Sequence, residues 1–167
     1  PPIRSGAHRE GLWYWLGQGV PDVIGSDHAP HTIEEKAKPY PASPSGMPGV
    51  QTLVPLLLNH VAEGRLTLRR FIDLTSAGPQ RIFGLVCKGR IALGYDADFT
   101  VVDLKKRWTV DGDWLASRCG WSPFEGMELT GKAIGTIVRG HRVMWEDTLA
   151  NDAAGEAVRF EATEFSA

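Results

Sequence analysis

The chain has 167 residues, 43% of them apolar, with 18 basic against 20 acidic side chains and a formal net charge of −2. This is the balance of a folded globular protein: no apolar run is long enough to span a bilayer, and Lys and Arg gather into no stripe that would track nucleic acid. Cys87 and Cys119 lie far apart without metal-ligand spacing, so they read as reduced thiols of a cytoplasmic protein rather than as a secreted disulfide framework.

Pro1-Pro2-Ile3-Arg4 is neither a signal peptide nor an initiating segment, and the chain reads as opening inside a longer one. Over residues 8–16, Leu12, Trp13, Trp15 and Leu16 fall at helical spacing before Gly17 and Gly19, which predicts a helix with its tryptophans packed inward. His8 sits among polar neighbours as a solvated helix start. A turn signal at Pro21-Asp22 then leads into Val23-Ile24, a short apolar run that reads as a buried strand.

Ser26-Asp27-His28-Ala29-Pro30-His31 follows, and it places one carboxylate and two imidazoles where that strand ends. Pro30 blocks a regular continuation, because proline fixes φ and lacks an N–H. In an α/β barrel or open parallel sheet, sites are built at such strand ends. Asp27 could bind metal or carry protons, and an imidazole could do either. The plainer alternative is a pair of side chains whose hydrogen bonds cap a loop.

Residues 32–47 are rich in proline, serine and charge, and a loop this long in a compact domain usually covers a site. Glu34-Glu35-Lys36 forms at most one helical turn, either pinning the loop or standing as a solvated charge cluster. Gly46 and Gly49 serve turns or close approaches. Val50, Leu53, Val54, Leu57, Leu58 and Val61 form the apolar stripe of a core-facing helix ended by Gly64, with Pro55 in its first turn and His60 in a structural place. A second helix starts at Thr67, with Leu68, Phe71, Ile72 and Leu74 inward, and Pro79 opens a short turn ending at Gly84.

Beyond Gly84 the period becomes alternating. Residues 90–93, 99–102, 132–139 and 142–145 read as strands, with Gly140-His141 at the last hairpin tip. Trp108, Trp114, Trp121 and Phe124 pack a connecting segment. The final twenty or so residues are small, acidic and aperiodic, the pattern of a frayed tail.

Several of these stretches, in this order, resemble the dihydroorotases, zinc-dependent cyclic amidases of the amidohydrolase superfamily. They are Ser26 to Thr32, Glu34-Glu35-Lys36, Ser45-Gly46-Met47-Pro48-Gly49-Val50-Gln51-Thr52, Gly78-Pro79-Gln80-Arg81-Ile82-Phe83-Gly84, Lys88-Gly89-Arg90-Ile91, Gly94-Tyr95-Asp96-Ala97-Asp98 and Ser122-Pro123-Phe124-Glu125-Gly126. The likeness also touches Pro1 to Arg4 and Gly11-Leu12-Trp13, and it runs to about Asp147. It implies an α/β chain, the carboxy-terminal fragment of a (β/α)8 metal-dependent hydrolase barrel followed by part of a small β-sandwich domain. Residues 1–84 would hold the last barrel strand, its helices and the active-site loop, 85–147 the sandwich portion, and 148–167 a tail. A complete barrel needs roughly 250 residues.

The implied reaction is reversible hydrolysis of dihydroorotate to N-carbamoyl-aspartate in pyrimidine synthesis, with zinc as cofactor. Asp27 would both contact the metal and act as the catalytic residue, moving a proton from the attacking water to the departing amide nitrogen. His31, with the backbone around Ser45 and Gly46, would bind the substrate's free carboxylate, and His28 would orient the strand end or Asp27 from behind. The family's other metal ligands would precede Pro1, so the chain alone is expected to be inactive. Implied partners are the small-molecule substrate, the rest of the parent chain, and a second copy or aspartate carbamoyltransferase. Hydantoinases and allantoinases share Ser-Asp-His but usually carry another residue at the place of His31. An inactive scaffold subunit of aspartate carbamoyltransferase, and a free-standing binding module, are the remaining alternatives.

Overall fold

The computed structural model describes residues 5–152 and 155–161. Residues 1–4, on which part of the resemblance rests, and residues 162–167 of the expected tail lie outside the described residues. Five helices come first: α1 (Gly6–Gly17), α2 (Ile33–Lys36), α3 (Leu53–Ala62), α4 (Leu68–Ile72) and α5 (Gly78–Phe83), the last two joined by a π turn, Asp73–Ala77. An antiparallel sheet follows, β1 (Phe99–Thr109), β2 (Glu128–Val138), β3 (His141–Trp145) and β4 (Thr148–Leu149), in the order β1-β2-β3-β4. No helix among the described residues is long and apolar enough to cross a membrane.

The core is made where α3 lies on β2. Leu57, Leu58, Leu66, Phe71 and Leu74 are buried together with Leu16, and Trp13, Ile24 and Val102 pack against them. Each fully buried Leu or Phe contributes about 1.5–3 kcal/mol. Close approach is possible because Gly131, at φ +99°, faces α3: a Cβ there would stand 2.7 Å from the Leu58 Cβ. Asn59, also buried, crosses the same junction, its Oδ1 accepting the Thr130 N–H at 2.9 Å while its Nδ2 donates to Glu63 at 2.8 Å. A buried amide is tolerated because both its ends are satisfied.

Several expectations need correction. Residues 23–25 are extended but form no ladder among the described residues, because a parallel strand needs neighbours and none is beside them. Residues 90–93 are likewise not a strand, with Ile91 86% and Leu93 103% exposed. In α1, Trp13 and Leu16 turn to the core, whereas Leu12 and Trp15 are exposed. Val50, Leu68 and Ile72, expected to face inward, are exposed as well. The last hairpin turns at Arg139-Gly140, both in the left-handed region, and His141 is the first residue of β3, opposite Val138. Strand β1 runs to Thr109, and its register shifts where Asp103 Oδ1 accepts the N–H groups of Lys105 and Lys106. The tail is not wholly frayed: Val86 donates to Arg159 and Glu161 to Gly84.

His60 stands as expected, its ring 4.1 Å from that of Trp13 and its Nδ1 3.2 Å from Glu63. Lys88 binds the carboxylates of Asp96 and Asp98, and Asp98 in turn accepts the Arg139 N–H at 2.8 Å. Burial pushes the Asp98 carboxyl up, but the hydrogen bonds from Lys88 and Arg139 more than offset it and hold the group below the usual carboxylate range. Hydrogen bonds to the same two carboxylates raise the Lys88 ammonium above its ordinary value. In this way residues 87–98, which lack a ladder, are tied to the β2–β3 hairpin.

Candidate active site

The segment that reaches the site is held from below. Arg70 donates from Nε to the Leu16 carbonyl at 3.0 Å, from one terminal nitrogen to Pro21 O, and from the other to Asp73 at 2.6 Å. Arg81 also reaches Asp73, and its hydrogen bond is the largest cause holding that carboxyl below the usual range. Gly78 completes the cradle, since any Cβ there would collide with the Asp22 carbonyl.

At the end of this segment Asp27 is exposed and has φ +48°, a left-handed conformation that Asp tolerates better than most residues. A non-glycine residue held there marks a place where the surroundings set the backbone, and such places cluster at functional sites. His28 lies beside it. Its Nδ1 accepts the N–H groups of Gly49 at 3.0 Å and Val50 at 3.3 Å, which leaves Nε2 as the ring's donor nitrogen. The imidazole thus ties the strand end to the start of α3, and its hydrogen bonds go to Gly49 and Val50 and not to Asp27.

The intervening loop closes on itself. Ala29 donates to Met47 O at 3.0 Å, and His28 pairs with Met47 in a single parallel bridge. Gly46 has φ +102°, and a Cβ on it would sit 2.6 Å from that of Ala29. Helix α2 starts with a reciprocal cap, Thr32 Oγ1 accepting the Glu35 N–H while Glu35 accepts that of Thr32. Lys36 then spans the loop, donating to the carbonyls of Pro44 at 2.8 Å and Gly46 at 3.1 Å. The charged turn therefore pins the loop through its lysine. Ser45 lies exposed at the loop's return.

His31 is half-buried, its Nδ1 3.4 Å from Glu35, so Nε2 is the nitrogen left for a ligand. Above it passes the segment that joins β1 to β2. Trp121 donates from its indole N–H to the His31 carbonyl at 2.7 Å. Gln51 seats the same segment, donating to Trp114 O at 2.7 Å and accepting the Ala116 N–H at 2.9 Å. Sequence reading gave Trp121 a packing role in a connecting segment and Gln51 none, since nothing local in either stretch signals a partner so distant in the chain.

A cavity of about 740 Å³ opens beside this region, lined among others by His28, Gln51, Trp114, Lys132 and Asp147. Asp27 and His31 do not line it. Lys132 instead binds Asp147 at 2.6 Å beneath the Trp108 and Trp114 rings, a packed ion pair. Among the described residues no three His, Cys, Asp or Glu side chains converge to hold a metal. The open carboxylate of Asp27 fits as one oxygen ligand, and a full ligand set would have to come from elsewhere in a larger protein.

The chain is 45% identical over 158 residues to the dihydroorotase of Pyrococcus furiosus, covering 95% of the chain and 36% of that protein. It is 46% identical over 150 residues to the dihydroorotase of Halobacterium salinarum, covering 90% and 35%. Among solved structures, the L-hydantoinase (dihydropyrimidinase) from Arthrobacter aurescens matches with a TM-score of 0.85 at 35% identity, over 90% of this chain and 34% of that one. The D-hydantoinase from Thermus sp. matches with a TM-score of 0.83 at 33% identity, over 91% and 34%. The chain spans about a third of the length of the relatives it matches. Residues 4–143 match the model of the Amidohydrolase family, and the chain belongs to that family.

Proposed function

We propose that these residues belong to a dihydroorotase, which opens the cyclic amide of dihydroorotate to N-carbamoyl-aspartate and closes it again as a cytoplasmic step of pyrimidine synthesis. The observation that carries this reading is the 45% identity to a dihydroorotase across 95% of the chain. Residues 1–84 belong to the barrel and its active-site loop and 85–147 to the β-sandwich portion, while the expected tail, 148–167, begins with β4, which still pairs with β3 in that sheet. The exposed apolar face of α1, where Leu12 is 69% and Trp15 52% exposed, joins the rest of the parent protein, and it disfavours a free-standing module.

The division of labour follows from the site. Zinc, when bound, supplies a Lewis acid and a water acidic enough to attack at neutral pH. Asp27 would be one of the residues that hold the zinc, and its carboxylate would accept a proton from the attacking water and return it to the departing amide nitrogen, so one group would serve as base and then acid. His31 Nε2 meets the free carboxylate of the substrate, aided by the backbone at Ser45 and Gly46. His28 holds Gly49 and Val50 and thereby the geometry of the strand end.

A hydantoinase-type cyclic amidase is the second reading, favoured by the hydantoinase structures but at lower identity than the dihydroorotases. Ring-opening assays of the parent protein with dihydroorotate, a hydantoin and allantoin, beside this chain alone, separate them. Turnover of dihydroorotate by the parent only is the expected result. Preference for the hydantoin would favour the second reading, and a parent without zinc or turnover would leave the scaffold role.

A further inference from the structure

The contacts around residues 26–31 form a closed circuit. His28 holds the backbone of Gly49 and Val50, the next residue Gln51 holds Trp114 and Ala116, and Trp121 returns to the carbonyl of His31. The segment between Ala116 and Trp121 is itself braced, with Ser117 Oγ 3.1 Å from Cys119 Sγ and that sulfur donating to Trp121 O. Ser122, buried next to Trp121, accepts the Phe124 N–H at 3.2 Å. A rigid crosspiece therefore reaches from the start of α3 to the residue that would meet the substrate.

From this geometry we infer that Trp121 is a positioning residue for substrate recognition, acting through His31. The inference rests on the reading of His31 as the contact to the substrate's free carboxylate. The indole binds the main chain of His31 and leaves its ring alone, so it sets where the imidazole stands without taking one of its nitrogens. Removing the N–H leaves a half-buried carbonyl without its donor and frees the residue to shift. The loss falls on binding of the carboxylate, while Asp27, on the other side of Ala29-Pro30, keeps its proton transfers.

The test is Trp121→Phe in the parent protein, with steady-state kinetics on dihydroorotate alone and in a His31→Ala background. We expect KM to rise about three- to tenfold, the range of one hydrogen bond, with kcat within about twofold of the parent's. In the His31→Ala background, Trp121→Phe should leave KM unchanged, because residues acting as a unit are not additive. The inhibition constant of dihydrouracil, the same ring without its carboxylate, should not move. Should Trp121→Phe fold poorly, Trp121→benzothienylalanine, which replaces only the N–H by sulfur, carries the same expectations. An unchanged KM, a fall in kcat alone, or an equal KM effect in both backgrounds would overturn the inference while leaving dihydroorotase activity intact. A parent protein inactive on dihydroorotate would instead overturn the functional reading, and this inference with it.

Discussion

Where α3 meets β2, Leu57 and Leu58 are 4% and 1% exposed, Gly131 lets the strand come against the helix, and Asn59 bridges the gap. At residues 26–31 almost nothing is buried: Asp27 and His28 face solvent, and the segment is fixed by single hydrogen bonds from Gly49, Val50 and Trp121 and by one from Ala29 to the Met47 carbonyl. The junction is maintained by burial and the mouth by directed polar contacts. Burial is cooperative and tolerant of neighbours, whereas each polar contact fixes one atom and leaves the side chain beside it open for chemistry. The mouth can be specific because it is not a core.

Substitutions should divide along that line. The largest effect is expected for Asp27→Ala in the parent protein, a loss of turnover of about 10²–10⁴-fold with most zinc retained, read by steady-state kinetics and metal analysis. Equal metal loss in Asp27→Ala and His31→Ala would erase the distinction between their roles. Leu58→Ala should cost about 2–5 kcal/mol of stability, measured by denaturant unfolding, and leave KM near the parent's. His31→Ala should raise KM about ten- to a hundredfold, as expected for a hydrogen bond to a charged group, without shifting the unfolding midpoint.

Gly46→Val should cost about 1–3 kcal/mol, because the new side chain meets Ala29 and φ is +102°. Hydrogen exchange at the Ala29 amide, which donates to Met47, should quicken. The smallest effect is a pH dependence at the Lys88–Asp96–Asp98 cluster. Asp98 has a depressed folded pKa, so its contribution is present above the unfolded value of about 3.8 and is lost as pH falls through the lower folded one. Lys88 has the opposite sign and loses its share only above about 10.5. The stability gap between the protein and Asp98→Asn should therefore be steady near neutral pH and close below about pH 4.

The helices were legible because their signals are local. The stripe from Leu53 to Val61 specifies its element within a few turns, and Glu34-Glu35-Lys36 marks the single turn of α2, although the Thr32-Glu35 cap that starts it emerges only in the structure. Strands β2 and β3 were legible from alternation, but not the turn between them, where two left-handed residues place the tip one position earlier. Residues 23–25 and 90–93 carry strand-like patterns that no neighbour satisfies among the described residues, and a strand is a property of a pair. The site was legible as a motif, since Asp27 and His31 stand in one short run. Its supports were not, because Arg70, Gln51 and Trp121 act across tens of residues with no periodicity to betray them.

The hydrogen bonds from Val86 to Arg159 and from Glu161 to Gly84 also set an order of events in the cell. Residues 84–86 leave the ribosome long before their partners, and at ~5–20 residues per second the wait is of the order of ten seconds. During that interval the sheet's hairpins, whose strands are close in sequence, can form first. The clasp between the two ends of this region closes last, as a late step of maturation after the helix–sheet junction is in place.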